Sequence, residues 1–358
     1  IEIPNPNHYA FQGSGGGIFS IINTDFIEEV DFLAGAFPAR YGGKASSVLD
    51  ITMREGQRDG LHYKFDQSLL YLGGYVEGPL PGAQGSYMIS GHKSIFKVMD
   101  YLVDLPIVPD YGNVQGKFVW DFTPRTKLQL YGMYAADELE FDFEEDDTSV
   151  DMEDVADLEY VSDQYTIGGT LKHAFDRGYL EVTPYRTVSN WRQAFTDTMD
   201  IERVHNYATE LTNKLKADVT LFPTDNDEVV LGLDLAYSHF DDDVYVLADT
   251  IWYYDTTTGE ELFPLDTGMT FTIDQKAGTW IYGGFAQYQH DFGKYVTATA
   301  GLRVTHLDYY NSTYLAPRAS ATWHIDGKTD FSLAYGRHYQ PPAWYMMAAN
   351  GTASPLDY

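Results

Sequence analysis

The feature that most constrains this 358-residue chain is a series of segments in which apolar and polar residues alternate. Between residues 296 and 304, for example, every second residue is apolar: Val296, Ala298, Ala300, Leu302 and Val304. A period of two is typical of a β-strand with one apolar face and does not fit a helix. Thirteen such segments begin near residues 62, 72, 85, 111, 127, 160, 178, 205, 228, 276, 295, 314 and 329. The pattern predicts an all-β, antiparallel fold.

The connections between these segments alternate in length. Short turns are predicted at residues 123–126, 175–178, 223–227, 292–294 and 326–328. Long connections come between them, around residues 95–110, 138–159, 191–204 and 247–275, with a shorter one near 309–313. One end of the sheet therefore carries tight turns and the other carries long loops, as in an outer-membrane β-barrel. Keeping every long loop at one end also requires residues 62–77 to form two strands, with the chain predicted to reverse direction at residues 72–74.

Composition leaves two classes of β-protein open. No run of about 18 apolar residues is present, so no transmembrane helix is predicted. The mean hydropathy of -0.31 fits a soluble protein, but it also fits a membrane barrel, whose apolar residues occupy alternate positions. Aromatic residues make up 15% of the chain, and girdles of Tyr and Trp favour the membrane setting. Candidate girdle residues are Tyr131, Tyr134, Trp280, Tyr282, Tyr288, Trp323 and Tyr335.

Charge and cysteine content exclude several functions. The formal net charge of -30 argues against nucleic-acid binding, which requires clustered Lys and Arg. The absence of cysteine excludes disulfides, a thiolate metal site and a cysteine nucleophile. Residues 137–163 and 241–274 contain 14 and 9 acidic residues and no Lys or Arg, so they carry 23 of the 30 net negative charges. The charge is therefore concentrated in two predicted loops.

Three interpretations of these acidic segments remain open. They are solvated loops whose like charges repel, or they bind a divalent cation, or they attract a cationic ligand or partner. Ca²⁺ prefers six to eight oxygen ligands, although no EF-hand spacing is present. The candidate ligands are Glu144, Glu145, Asp146 and Asp147 in the first segment and Asp241, Asp242 and Asp243 in the second. No other cofactor is predicted.

The first part of the chain has a different residue pattern, without the long alternating segments. Residues 1–55 contain a glycine cluster at residues 13–17 and short apolar segments joined by glycines. A polar, glycine-bearing joint at residues 55–60 separates this part from the alternating segments. We therefore expect two regions, residues 1–58 and residues 59–358. Neither end of the chain has the pattern of a domain boundary, so we expect a fragment of a longer protein.

Residues 25–52 resemble the last part of the plug domain of TonB-dependent outer-membrane receptors. The resemblance rests on a strand with Ile27 and Val30, then Gly35, then the Tyr41-Gly42 pair, a second short strand and a charged exit. Residues 77–80 with 86–94 are similar to an early barrel hairpin of that family. Residues 316–320 with 333–342 are similar to a hairpin from the middle of the barrel.

The resemblance implies a transmembrane barrel of about 22 strands, closed by an N-terminal plug, in the outer membrane of a Gram-negative bacterium. Residues 1–58 would be the C-terminal part of the plug, and residues 59–358 about 13 of the strands. The TonB box, the early plug and roughly nine strands would lie outside this chain. The implied function is ligand-gated import of a scarce nutrient, with TonB, outer-membrane lipids and an unidentified extracellular ligand as partners and no enzymatic activity.

The residues of the plug exit predict where plug and barrel meet. Gly35, Gly42 and Gly43 permit tight turns and positive φ. Arg40 is a candidate for an ion pair with an acidic residue of the barrel wall, although it also suits a solvated turn. The predicted contact consists of Arg40, Tyr41, Gly42 and Gly43.

Three other functions remain as alternatives to gated import. They are a passive porin-like barrel, a barrel-borne surface hydrolase with acidic and His residues at its rim, and a soluble β-sandwich adhesin. The chain contains neither the G-x-S-x-G nor the H-E-x-x-H motif, which disfavours the hydrolase without excluding a dispersed triad.

Overall fold

A computed structural model gives the fold and describes residues 1–346 apart from 36, 83, 104, 106, 142–154, 198–200, 248–249, 255–260, 268–269 and 345. The strands are β1 (Ile27–Ala34), β2 (Ser47–Met53), β3 (His62–Gln67), β4 (Tyr71–Pro79), β5 (Gly85–Ser94), β6 (Ile107–Thr123), β7 (Thr126–Phe141), β8 (Val155–Phe175), β9 (Gly178–Asp197), β10 (Glu202–Thr224), β11 (Asp227–Val246), β12 (Thr250–Tyr254), β13 (Glu261–Thr267), β14 (Phe271–Phe292), β15 (Val296–Leu307), β16 (Ser312–Asp326) and β17 (Thr329–Gly336). The helix α1 (Phe96–Val103) lies between β5 and β6 and is neither long nor apolar enough to cross a membrane.

Thirteen strands form one antiparallel sheet in the order β17-β16-β15-β14-β11-β10-β9-β8-β7-β6-β5-β4-β3. Neighbours in the chain are neighbours in the sheet, except that the hairpin β12–β13 is inserted between β11 and β14. The prediction of an all-β fold with thirteen sheet strands is confirmed, and the hairpin β12–β13 is additional to it. Each observed strand begins within five residues of its predicted start, because the period-two pattern specifies the strands locally.

The two ends of the large sheet differ in the length of their connections. The prediction of a long connection at residues 191–204 is wrong, because β9 continues to Asp197 and β10 begins at Glu202. Tight connections at residues 80–84, 124–125, 176–177, 225–226, 293–295 and 327–328 lie at one end, which we call the turn end. The longer connections, such as residues 95–106 and 247–270, lie at the opposite end, which we call the loop end.

The turn between β3 and β4 lies at residues 68–70, so the prediction of a chain reversal at residues 72–74 is wrong. The hydroxyl of Ser68 accepts hydrogen bonds from the backbone N–H groups of Leu70 and Tyr71, at 3.0 and 3.1 Å, and this closes the turn. Gly73 and Gly74 lie inside β4, where a Cβ would collide with neighbouring strands. These glycines permit a close approach of strands rather than a reversal of the chain.

The two faces of the large sheet have opposite character. The side chains of Leu302 and Val304 are exposed, whereas Arg303 between them is buried. Elsewhere the buried face carries polar residues, among them Gln115, Gln164, Thr187 and Ser189. A soluble β-sandwich buries its apolar face, so this distribution is the reverse of the one that the adhesin alternative requires.

Six of the seven predicted girdle residues lie on the exposed apolar face: Tyr134, Trp280, Tyr282, Tyr288, Trp323 and Tyr335. Tyr131 is the exception and packs on the inner face against Ile21 and Met133. Tyr131 and Tyr134 are three positions apart, so a strand places them on opposite faces. The prediction for Tyr131 is therefore wrong.

Residues 1–53, which we call the N-terminal segment, lie against the inner face of the large sheet. Its regular elements are a short 3-10 helix at Thr24–Phe26 and the antiparallel pair of β1 and β2 between residues 27 and 53. Small apolar clusters join the segment to the wall, for instance Ile21 with Met133 and Ala135, or Ala39 with Val230 and Phe285. The contact is a set of separate clusters linked by polar groups. Residues 54–61 connect β2 to β3.

Candidate functional site

The candidate site is the contact between the N-terminal segment and the inner face. Its first part, the His8 anchor, consists of His8, Asn113, Asp137 and Ser162 near the loop end. The Nδ1 atom of His8 lies 2.5 Å from Oδ1 of Asp137, and Asn113 donates to its Nε2 at 2.9 Å. These two contacts fix the orientation of the His8 ring between the carboxylate and the amide. Both His8 and Asp137 are buried.

Asp137 also accepts hydrogen bonds from the backbone of the N-terminal segment and from the neighbouring strand β8. Its Oδ2 atom accepts from the backbone N–H of Tyr9 at 3.0 Å and from the hydroxyl of Ser162 at 3.2 Å. Tyr9 has a φ of 58°, a left-handed conformation that a bulky residue rarely adopts. The carboxylate thus helps to hold a strained residue whose ring packs against Tyr111 and Tyr160. Burial raises the pKa of the Tyr9 hydroxyl far above its usual range.

The second part, the arginine anchor, consists of residues 37–40 of the N-terminal segment with Asp234, Arg303 and Arg318 of the wall. Arg318 donates to the carbonyl oxygens of Phe37, at 2.9 Å, and Pro38. Arg303 donates to the carbonyl oxygens of Ala39 and Arg40, both at 3.4 Å.

Asp234 completes this anchor by pairing with the Nη2 atom of Arg303, and each side chain of this pair is only 5% exposed. Three strands, β11, β15 and β16, thus converge on one loop.

Small residues make room for the loop. A Cβ at Gly42 would overlap the guanidinium of Arg303, and a Cβ at Gly301 would lie 2.9 Å from the Cβ of Ala39. The guanidinium of Arg318 lies 4.8 Å from the ring centre of Phe37, within the range of a cation–π interaction. The shape and the charge of the wall therefore both match this loop.

A third polar contact lies at the turn end, where the chain leaves the N-terminal segment. Arg54 donates to both carboxylate oxygens of Glu77 at 2.5 and 3.0 Å, and the backbone of Gln57 donates to the same carboxylate at 3.0 Å. Such bidentate pairs have a specific geometry as well as charge. The exit of the chain is thus bound to β4.

The four residues predicted to meet the wall lie at or beside the arginine anchor. Arg40 contributes its carbonyl oxygen, and none of the ion pairs among the described residues involves its guanidinium. Gly42 lies against Arg303, and Gly43 has a φ of 69°. Tyr41 donates its hydroxyl to Asp50 within the segment, and burial raises the pKa of that hydroxyl above its usual range. The polarity is therefore the reverse of the predicted one, with the arginines on the wall.

Sequence reasoning missed Arg303 and Arg318. A signal was present, because Arg303 stands between Leu302 and Val304 in a strand whose alternation is otherwise clear. An arginine on the polar face of a strand is a candidate for an inward contact. Its partners could not be identified from the sequence, since Asp234 and the loop at residues 37–40 are distant from Arg303 along the chain.

The acidic residues of the second candidate cation site do not converge. Asp242 points inward and is fully buried, whereas Asp241 pairs with Lys276 at 2.7 Å on the other face. Asp243 lies 3.2 Å from His205. Within the described part of the chain, no three His, Asp or Glu side chains are arranged to hold a metal ion. Glu144, Glu145, Asp146 and Asp147 lie outside the described residues, and Ca²⁺ binding stays a prediction.

Comparisons with known proteins agree with this architecture. A family model described as TonB dependent receptor-like, beta-barrel, matches residues 100–357. No curated protein matches the chain.

Three solved structures illustrate the likeness in fold. A variant of the ferric enterobactin receptor of Pseudomonas aeruginosa is 16% identical, with a TM-score of 0.63 over 92% of this chain and 51% of that one. The ferripyoverdine receptor of the same organism is 16% identical, with a TM-score of 0.64 over 89% and 48%. The outer membrane transporter YddB from Escherichia coli is 12% identical, with a TM-score of 0.59 over 94% and 51%.

The chain spans about half the length of these structures. At such low identity the likeness concerns the fold alone, whereas the family model covers well over half of the chain. The family consists of receptors rather than enzymes, and its barrels lie in the outer membrane of Gram-negative bacteria. This chain belongs to the TonB-dependent receptor family, as a partial β-barrel with a plug-like segment on its inner face.

Proposed function

We propose that the intact receptor imports a scarce ligand across the outer membrane, that TonB supplies the energy, and that the N-terminal segment acts as the gate. The observation that carries the proposal is the attachment of this segment to the inner face by separate anchors. A gate must be held firmly at rest and must also be released. Polar anchors suit both requirements, because each hydrogen bond can be exchanged for one to water.

The same observation disfavours a passive porin. A porin leaves an open aqueous channel through its barrel, whereas here the two anchors alone bring wall residues of six strands into contact with protein. The His8 anchor draws on β6, β7 and β8, and the arginine anchor on β11, β15 and β16. The family assignment in turn disfavours the hydrolase.

The ligand would enter at the loop end, where residues 9–18 of the N-terminal segment lie. Phe11 and Ile18 of this stretch are exposed, and the ring of Phe11 meets that of Tyr160 edge to face at 5.7 Å. Exposed apolar groups beside a glycine-rich turn provide a surface for a ligand. Two of the similar structures are receptors for iron-loaded chelates by name, and the proposal for this chain is limited here to a scarce ligand.

The first experiment tests energy dependence. Cells that express the intact receptor are grown with its ligand source, with and without TonB. We expect receptor-dependent growth only when TonB is present. Growth that requires the receptor but not TonB would favour the porin-like alternative.

The second experiment tests gating by locking the gate. The chain has no cysteine, so the double variant Ala39→Cys/Gly301→Cys introduces one defined pair. A Cβ at residue 301 would lie 2.9 Å from that of residue 39, and a small shift of the loop brings the pair to the separation of about 3.5 to 4.5 Å found in disulfides. We expect uptake to stop on oxidation and to return on reduction, with each single variant as control. Normal uptake by the oxidised, crosslinked receptor would overturn the gating proposal.

A further inference from the structure

Two carboxylates on the inner face near the loop end share one partner from the N-terminal segment. Glu210 on β10 and Asp242 on β11 accept hydrogen bonds from the same Nε2 atom of Gln12, at 3.1 and 2.9 Å. Asp242 is fully buried, and its second oxygen, Oδ2, has no hydrogen-bond partner. In the described part of the chain, neither carboxylate forms an ion pair. The two carboxylates thus share a single neutral amide donor.

The strand register places further hydrogen-bond acceptors close to Asp242. Asp242 lies directly opposite Ala208 on β10 and Gln275 on β14. Asn206 and Glu210 stand on either side of Ala208 on the same face of β10. Directly opposite and diagonal neighbours on one face lie about 4.5 to 8 Å apart. The small side chain of Ala208 leaves space between these polar groups.

Three unpartnered atoms in this cluster are acceptors: Oδ2 of Asp242, Oδ1 of Asn206 and Oε1 of Gln275. Gln193, which lies opposite Asn206 on β9, has an unpartnered donor, Nε2. A buried charge without a partner is costly, so a cationic donor placed among these two carboxylates and free oxygens would be stabilised there. A primary ammonium group offers three N–H donors and one positive charge.

We infer that Asn206, Glu210, Asp242 and Gln275, which we call the ammonium site, bind a protonated amine of the imported ligand. The inference rests on the proposed function and specifies a substrate class for it. A metal ion fits less well, because the described residues hold no group of three His, Asp or Glu side chains that suits one. An amine needs only two carboxylates and amide oxygens.

Binding at this site acts on the gate. The ligand's amine and the amide of Gln12 compete for the same carboxylate oxygens, so the amine displaces Gln12. Linkage requires the converse as well, so that a weaker hold by Gln12 strengthens binding of the amine. The ammonium site therefore couples ligand binding to release of Gln12 and the stretch of the N-terminal segment around it.

The structure supplies a local reporter and a matched control. The indole N–H of Trp191 donates to the carbonyl oxygen of Ala10 at 2.7 Å, two residues before Gln12. Movement of this stretch should change Trp191 fluorescence, and Trp191→Phe identifies the signal. Asp241 lies next to Asp242 but on the opposite face, paired with Lys276, so Asp241→Asn changes the same charge without touching the site.

The test uses the intact receptor in detergent at pH 7, with ethylammonium, tetramethylammonium and Ca²⁺ as probes. Ethylammonium should bind and change Trp191 fluorescence, and tetramethylammonium, which has no N–H, should bind more weakly. Asp242→Asn and Glu210→Gln should each lower ethylammonium affinity by at least about tenfold, while Asp241→Asn leaves it unchanged. Gln12→Ala should raise the affinity about two- to tenfold, because the competitor is gone.

Several results would overturn the inference. Equal affinity in Asp242→Asn and wild type would do so, as would no gain in Gln12→Ala. Uptake of Ca²⁺ that depends on Asp242, without binding of ethylammonium, would replace the amine with a metal. These measurements need no TonB, so their failure alongside TonB-dependent growth would reject the ammonium site and leave the proposed function standing.

Discussion

The His8 anchor and the arginine anchor fix the same segment by opposite means. At the His8 anchor the wall supplies an acid, Asp137, and the segment supplies a side chain, His8. At the arginine anchor the wall supplies the cations Arg303 and Arg318, and the segment supplies four backbone carbonyl oxygens. A contact through a side chain depends on which residue is present. A contact through carbonyls depends on the path of the backbone and on the wall.

The largest loss of stability of the docked segment is expected when the cation of the arginine anchor is removed. Arg303→Met leaves Asp234 buried without its partner and should destabilise the docked segment by about 3 to 5 kcal/mol. The measurement is the urea concentration at which a protease cleaves the N-terminal segment of the intact receptor. The matched control is Arg303→Met/Asp234→Leu, which removes both charges and should recover most of the loss. A single variant as resistant as wild type would contradict the importance of this pair.

Removal of the carboxylate of the His8 anchor should cause the next largest loss of stability of the docked segment. Asp137→Ala leaves the buried N–H groups of His8 and Tyr9 without an acceptor, at a cost of about 2 to 3 kcal/mol. The same protease measurement applies, and hydrogen exchange at the Tyr9 amide should rise. Ser162→Ala serves as control, since it removes one neutral donor and should cost less. Equal losses in the two variants would show that Asp137 has no special role.

A methyl group at Gly42 tests the fit of the loop. Gly42→Ala forces the Arg303 guanidinium away from Asp234 and the loop carbonyls, and overpacking of this kind costs about 1 to 3 kcal/mol. Gly60→Ala is the control, because a Cβ there meets nothing within 4 Å. Urea-dependent proteolysis distinguishes the two. A Gly42→Ala receptor with unchanged resistance would indicate that Arg303 moves freely.

The smallest effect should come from the residue that sequence reasoning singled out. Arg40→Ala keeps the carbonyl that Arg303 contacts, so the docked segment should change by less than about 0.5 kcal/mol. A loss well above this value would reveal an ion pair of Arg40 with the wall and would remove the distinction between the two anchors. His8→Ala, run in parallel, should be clearly more harmful.

The sequence by itself determined the local part of this architecture. Strand positions, the difference between turn end and loop end, and the apolar outer face follow from a period of two and from glycine-bearing turns, which act over a few residues. The plug-like stretch was also recognisable from Gly35, Tyr41 and Gly42. The turn at residues 68–70 was misplaced, because glycine signals both a turn and a close approach of strands.

Only the tertiary structure decided which residues meet across the inner face. His8 and Asp137 are 129 positions apart, and Arg318 and Phe37 are 281 apart. No short-range pattern relates such residues, because their contact depends on how thirteen strands curve around a segment with little regular structure. For the same reason Asp242 belongs with Glu210 and Gln12 rather than with its sequence neighbours, since a strand turns adjacent side chains to opposite faces.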